Sequence, residues 1–352
     1  MSDTGVIPLL RRLQEECGGG IPFERFMQEA LYHPTLGYYS AKIEDVGARG
    51  DFSTSATLGS ELGASIAAWI SAKAQEEGWR TIPVIEVGAG NGSLAKTILR
   101  HLGWRTRFFT RYSIVETSPA LRKLQQKKLR FHGIHWHSSV QEALRQSSGR
   151  ALIFSNELVD AFPCRLFERG EQGWKEVGVR ISDDGSLSET LLPNLASEPW
   201  FLTFDHLPVG QRIERHDSYR RWLEEWSPFW KEGSLLTVDY GEISGCLYQR
   251  HPRGSLRAYW KHQLLTGRDL YARFGKQDLT ADVSFSDLIS WGGALGWHAL
   301  PLVTQREFTE KWVPGKNRGD CSDGLYSPDD AGDFFMVLEQ TPNRAGISYR
   351  WG

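Results

Sequence analysis

The feature that most constrains this chain is a glycine-rich turn set between a short apolar run and a helical stretch. Pro83-Val-Ile-Glu-Val87 is short, rich in β-branched residues and stops at glycines, which predicts a buried strand. Glu86-Val-Gly88-Ala-Gly90-Asn-Gly92 follows, and Leu94 to Leu102 then has helical spacing. Glycines at such a turn let the backbone pass close to a ligand, and the helix N-terminus behind them offers free N–H groups. The spacing is GxGxG led by a carboxylate, not the GxGxxG of a dinucleotide fold. No phosphate-binding lysine follows, so a Walker loop is excluded.

The rest of the chain repeats that alternation. Tyr112–Glu116, Ile134–Val140, Ala151–Asn156, Ser234–Tyr240, Trp297–Val303 and Phe334–Gln340 read as further strands, seven in all. Pro119 opens a helix through Arg130, and another starts near Ser284. Strands joined by helices predict an α/β fold with a parallel sheet and right-handed crossovers. Three segments fall outside it. Residues 1–80 read as a helical N-terminal region with a glycine-rich middle, Gly47–Gly50. Residues 166–232 alternate polar and apolar around Asp183-Asp184-Gly185, a hairpin signal, and residues 244–283 interrupt the sheet. The core is then expected from 81–165, 233–243 and 284–345, with the insertions on the substrate side.

Composition narrows the function classes. The 352 residues are 40% hydrophobic, enough for a large core, and carry a net charge of −2. Near-neutrality lacks the basic footprint of a dedicated nucleic-acid binder, so no nucleic-acid partner is expected. Cys17, Cys164, Cys246 and Cys321 lie far apart without a CxxC pair, which points to a reducing, cytoplasmic compartment. The acidic residues in Met1–Phe23 argue against a secretory or transit segment. Leu288–Gln305 lacks charge, but its glycines and Pro301 suit a helix end and a strand, so no membrane insertion is expected.

Glu116 ends the second strand, where a carboxylate accepts hydrogen bonds from ribose hydroxyls. The fourth strand ends in Asn156-Glu157-Leu-Val-Asp160. A helical turn starting at Asn156 puts Glu157 and Asp160 on one face at i, i+3, able to hold a cationic nucleophile and take its proton; acids in a first helical turn also serve capping alone. Gly50-Asp-Phe-Ser-Thr54-Ser55 reads as either a cover over the cofactor or a turn. The basic residues Arg122, Lys123, Lys127, Lys128 and Arg130 read as a solvated helix face. His132, His135 and His137 lack the partners of a metal site, so no metal is expected. His262 and Asp282 sit in the late insertion, and Cys164 and Cys246 have no base motif.

Taken together, these segments resemble the MidA family of S-adenosylmethionine (SAM) methyltransferases. The likeness runs through Phe23–Tyr39, Gly50–Ser55, Glu86–Leu94, Val115–Gln125, Asn156–Pro163, Asp239–Gly241, Gly254–His262 and Asp278–Phe285. It implies a Rossmann-like seven-stranded SAM methyltransferase sheet. It implies SAM as cofactor, bound by Glu86, Gly88, Ala89, Gly90, Asn91, Gly92, Glu116, Thr117, Asn156, Thr54 and Ser55. It also implies a protein substrate methylated on arginine, as in the family's mitochondrial members that assist respiratory complex I assembly. Glu157 and Asp160 are the expected catalytic pair. This chain departs from the family at Ala56-Thr57, Ala64 and Thr97, which puts the substrate or rate in question. A noncatalytic assembly protein on the same fold and a small-molecule methyltransferase remain as alternatives. Nothing in the sequence speaks to the oligomeric state.

Overall fold

The computed structural model describes residues 5–41, 60–261, 263–314 and 335–343. The chain forms two compact units, each built from several segments.

The larger unit is the sheet. Its strands are β1 (Ile82–Val87), β2 (Thr110–Val115), β3 (His135–His137), β4 (Leu152–Asn156), β5 (Leu235–Glu242), β6 (Trp297–Ala299) and β7 (Phe335–Pro342). They lie in the order β6-β7-β5-β4-β1-β2-β3. β1 lies inside the sheet: all six residues are buried, as its apolar run demands, with β2 and β4 parallel on either side. The sheet is not wholly parallel, because β7 runs antiparallel to both β5 and β6. The expected strand from Trp297 to Val303 splits at Pro301, which has no N–H to give the ladder. Ala299 pairs with Gln340, and pairing resumes only at Val303 with Val337. The third strand is also shorter than expected, since Ser139 caps a helix starting at Val140.

Helices α1 (Ser60–Glu76), α2 (Ser93–His101), α3 (Pro119–Lys128), α4 (Val140–Gln146), α5 (Phe285–Ala294) and α6 (Gln305–Trp312) belong with the strands. The fold therefore draws the line differently from the expected N-terminal cap at residues 1–80. Leu62, Ile66, Trp69 and Ile70 of α1 share one buried cluster with Ile98 and Leu99 of α2 and with the strands. Elsewhere in this unit Trp226, Trp230 and Trp297 pack in tilted and edge-to-face pairs with ring centroids 5.1–5.9 Å apart.

The second unit is built from Val159–Tyr219 and Ile243–Ser284 with the N-terminal helices Val6–Glu16 and Phe23–Tyr32. Gly173–Ile181 and Leu187–Leu195 form the hairpin that the Asp-Asp-Gly turn predicts, and Arg165–Gly170 and Arg212–Arg215 extend the sheet. Phe167, Trp174, Phe201, Phe204 and Tyr248 make its aromatic core.

Within the sheet unit, Gly63 lets α1 approach α2. A Cβ added there meets Thr97 Cγ2 at 2.5 Å. Glycine to alanine inside a helix ordinarily gains up to about 1 kcal/mol from propensity. At Gly63 the methyl has no room, so Gly63→Ala is expected to cost about 1–3 kcal/mol in urea unfolding. Equal or higher stability would contradict this packing.

Candidate active site

The turn after β1 adopts the conformation its glycines were read for. Gly88, Gly90 and Gly92 have φ of 69°, 51° and 78°, in the left-handed region that side chains avoid. A Cβ at Gly88 meets Leu158 Cδ1 at 2.7 Å, whereas one at Gly90 meets nothing within 4 Å. The first glycine is thus closely packed, and the second is open among the described residues. Gly92 directly precedes α2.

One side chain that the sequence reading passed over ties this turn to Glu116. Gln125 of α3 is fully buried, and its Nε2 donates to the Gly90 carbonyl and to Glu116 Oε2, both at 2.9 Å. Its Oε1 accepts from Trp136 Nε1 at 3.1 Å. Both amide hydrogens and the carbonyl are satisfied, so the glutamine has one orientation. Glu116 also takes the Ser118 N–H on Oε1 at 2.9 Å. Each Glu116 oxygen keeps a further lone pair for a diol, the pattern a ribose needs. Burial raises the Glu116 carboxyl, and hydrogen bonds from Ser118, Gln125 and Thr117 oppose that rise. Thr117 is exposed beside it, and Ala89 is buried in the turn.

Lys128 was read with its neighbours as a solvated face. Instead its Nζ donates to Asn91 Oδ1 at 3.0 Å and Ser93 Oγ at 2.8 Å, and Asn91 also caps the Ser93 N–H. Glu86 lies beneath the turn, 2% exposed, with its Oε2 taking the Tyr112 hydroxyl at 2.7 Å. Burial, with Glu116 nearby, pushes its carboxyl up to about 7.

The chain after β4 does not form the expected helical turn. Glu157 has φ 49°, a strained value for a residue with a Cβ, and its N–H continues the ladder to the Val238 carbonyl. The Leu158 N–H goes to Asp239 Oδ2 at 3.1 Å, so the acid of the Asp239-Tyr-Gly241 stretch holds this turn. Without a helix, Glu157 and Asp160 do not share an i, i+3 face. Glu157 belongs to the sheet unit and Asp160 to the other. Asn156 donates to Glu157 Oε1 at 3.1 Å, and its own Oδ1 is buried with no partner among the described residues.

Asp160 sits 5% exposed in a charged cluster of its own unit. Arg257 pairs with Asp282, which also faces His251 Nε2 at 3.3 Å. Burial lifts Asp160 to about 6 against the pull of Arg257. Asp282 thus finds a place as the partner of Arg257. The expected contacts Thr54 and Ser55, the Ala56-Thr57 departure and His262 lie outside the described residues. Thr97 donates to the Ser93 carbonyl and packs by Gly63, so this departure serves helix packing.

The family model described as "Putative S-adenosyl-L-methionine-dependent methyltransferase" matches residues 62–303, well over half of the chain. The chain belongs to that family. This methyltransferase is 29% identical to the mitochondrial protein arginine methyltransferase NDUFAF7 of Danio rerio, over 82% of its own length and 72% of the relative's. It is 26% identical to the Homo sapiens protein of that name, over 82% and 69%. Among solved structures, a Burkholderia thailandensis protein bound to S-adenosyl-homocysteine superposes with a TM-score of 0.84 at 26% identity, covering 96% of this chain and 92% of that one. The methyltransferase uses SAM as its cofactor, and the open turn at Gly90, the two-sided support of Glu116 and the unpartnered Asn156 oxygen suit such a ligand. The relatives also overturn the cytoplasmic reading drawn from the cysteines, because these relatives are named as mitochondrial proteins.

The raised Glu86 carboxyl has a measurable consequence. The folded state holds its proton up to about pH 7, while the unfolded chain releases it near the ordinary value of 4.5. The folded state therefore binds more protons in that window, and stability falls as pH rises from about 4.5 through 7. Glu86→Gln removes this slope, so the variant should gain on the wild type by on the order of 1–3 kcal/mol between pH 5 and 8. Parallel stability curves by denaturant titration would contradict the assignment.

Proposed function

We propose that this methyltransferase acts on arginine in a partner protein. The cofactor, when bound, supplies a methyl group already activated on a sulfonium. Gly88, Ala89, Gly90, Asn91 and Gly92 would wrap its amino-acid end over a rigid turn, with Glu86 setting that turn from below. Glu116 would take the ribose hydroxyls beside Thr117, and Asn156 would offer its buried oxygen. Thr54 and Ser55 stay in the proposal on resemblance alone.

The acceptor reading is carried by Glu157. A guanidinium is charged at neutral pH, so it must be held and must lose a proton to attack. Glu157 presents a carboxylate from a strained turn at the carboxyl end of β4, where ligands bind in open α/β sheets. It accepts guanidinium N–H groups and takes the proton released as the new N–C bond forms and the C–S bond breaks. Asp160 stays proposed as a proton acceptor on resemblance alone. The relatives' names support arginine over other acceptors.

Calorimetry with S-adenosyl-homocysteine and transfer of labelled methyl from SAM into lysate proteins test the proposal together. Gly88→Arg, which adds bulk at a left-handed position against Leu158, should abolish binding. Glu157→Gln should keep binding and lose about 100-fold or more in transfer, with wild-type label recovered as methylarginine after hydrolysis. Label in a small-molecule fraction would instead favour that class of acceptor. Absence of wild-type binding would leave a noncatalytic assembly protein.

A further inference from the structure

The sheet unit carries exposed aromatic and basic residues, on the short helix after α2 and the loop after α3, that neither cofactor binding nor methyl transfer uses. Between Gly92 and Gln141 the chain has ten Lys and Arg but one acid, Glu116, which is buried. The whole chain is at −2, so the positive charge is concentrated in this stretch. The short helix Trp104–Phe109 follows α2 and buries none of its side chains. Trp104 is 79% exposed, and Phe108 and Phe131 are each 80% exposed. Trp104 and Phe108 stand four residues apart on that helix and so share a face.

These pieces are brought together by a specific contact. Arg107 Nη2 lies 2.9 Å from His132 Nδ1, which sets the loop after α3 beside the Trp104–Phe109 helix. Burial, and after it the nearby Arg107, Lys96 and Arg100, holds the His132 imidazole below its ordinary range, so cations of α2 and the short helix converge there. Arg105 lies over the Trp104 ring, and Arg130 lies over Phe131. Two of the three projecting rings thus have a cation folded against them.

Protruding phenylalanines have no polar handle and gain only from an apolar medium. Cations alongside them gain only from anions. An anionic lipid interface supplies both in one plane, with rings at the acyl boundary and guanidinium groups among the headgroups. We propose that this face docks the protein peripherally on a negatively charged membrane surface. No membrane crossing is involved: among the described residues no helix is long and apolar enough to span a bilayer.

Cosedimentation of the full chain with vesicles of phosphatidylcholine, with and without phosphatidylglycerol, tests this. The wild type should bind only the anionic vesicles and release in high salt. Trp104→Ser with Phe108→Ser and Phe131→Ser leaves the charge unchanged and should weaken binding at least about tenfold. Arg105→Glu with Arg130→Glu should do the same. Unchanged S-adenosyl-homocysteine binding in both variants confirms that they fold. Failure of the wild type to bind anionic vesicles would overturn the proposal. So would binding that the aromatic substitutions leave intact, or a single-stranded RNA oligonucleotide that binds the face in preference to vesicles.

Discussion

The side-chain amide of Gln125 is the interaction on which the candidate cofactor site depends. It joins the carbonyl of Gly90 to the carboxylate of Glu116, two groups that come from the ends of different strands. A glycine turn with three left-handed residues has many accessible conformations when free, and fixing it costs entropy. Gln125 and Lys128 fix it from α3, while Leu158 packs on Gly88 from the turn after β4. The turn is therefore held before any ligand arrives, and pre-organisation of this kind favours affinity.

The same logic accounts for the strain at Glu157. A residue with a Cβ at φ 49° persists only where its surroundings over-determine it. Here the Val238 carbonyl takes its N–H, Asp239 takes the next one, and Asn156 holds its carboxylate. Three independent restraints aim one carboxylate, at the end of the sheet where an acceptor is proposed to meet the cofactor. Asp239 does this while fully buried, which makes its residue type necessary without any contact to substrate.

Much of this was legible in the sequence. The glycine spacing, the β-branched run before it and the carboxylate ending β2 are local signals, and all seven strands follow from local patterning. Three matters were not local. The reversal of β7 depends on how the sheet edge is completed, and nothing within Phe335–Pro342 encodes direction. Gln125 sits mid-helix between charged residues and reads as solvent-facing; only its distance to Gly90 and Trp136 reveals its role. Glu157 and Asp160 were paired by assuming a helical turn, which the ladder from Val238 prevents.

A crystal structure of this chain with S-adenosyl-homocysteine tests the central claim most directly. The amino-acid end of the ligand should lie on the Gly88–Gly92 turn and both ribose hydroxyls on Glu116, with the Gln125 bridge to Gly90 intact. A ligand whose ribose does not meet Glu116, or a turn rearranged with the Gln125 bridge broken, would contradict it.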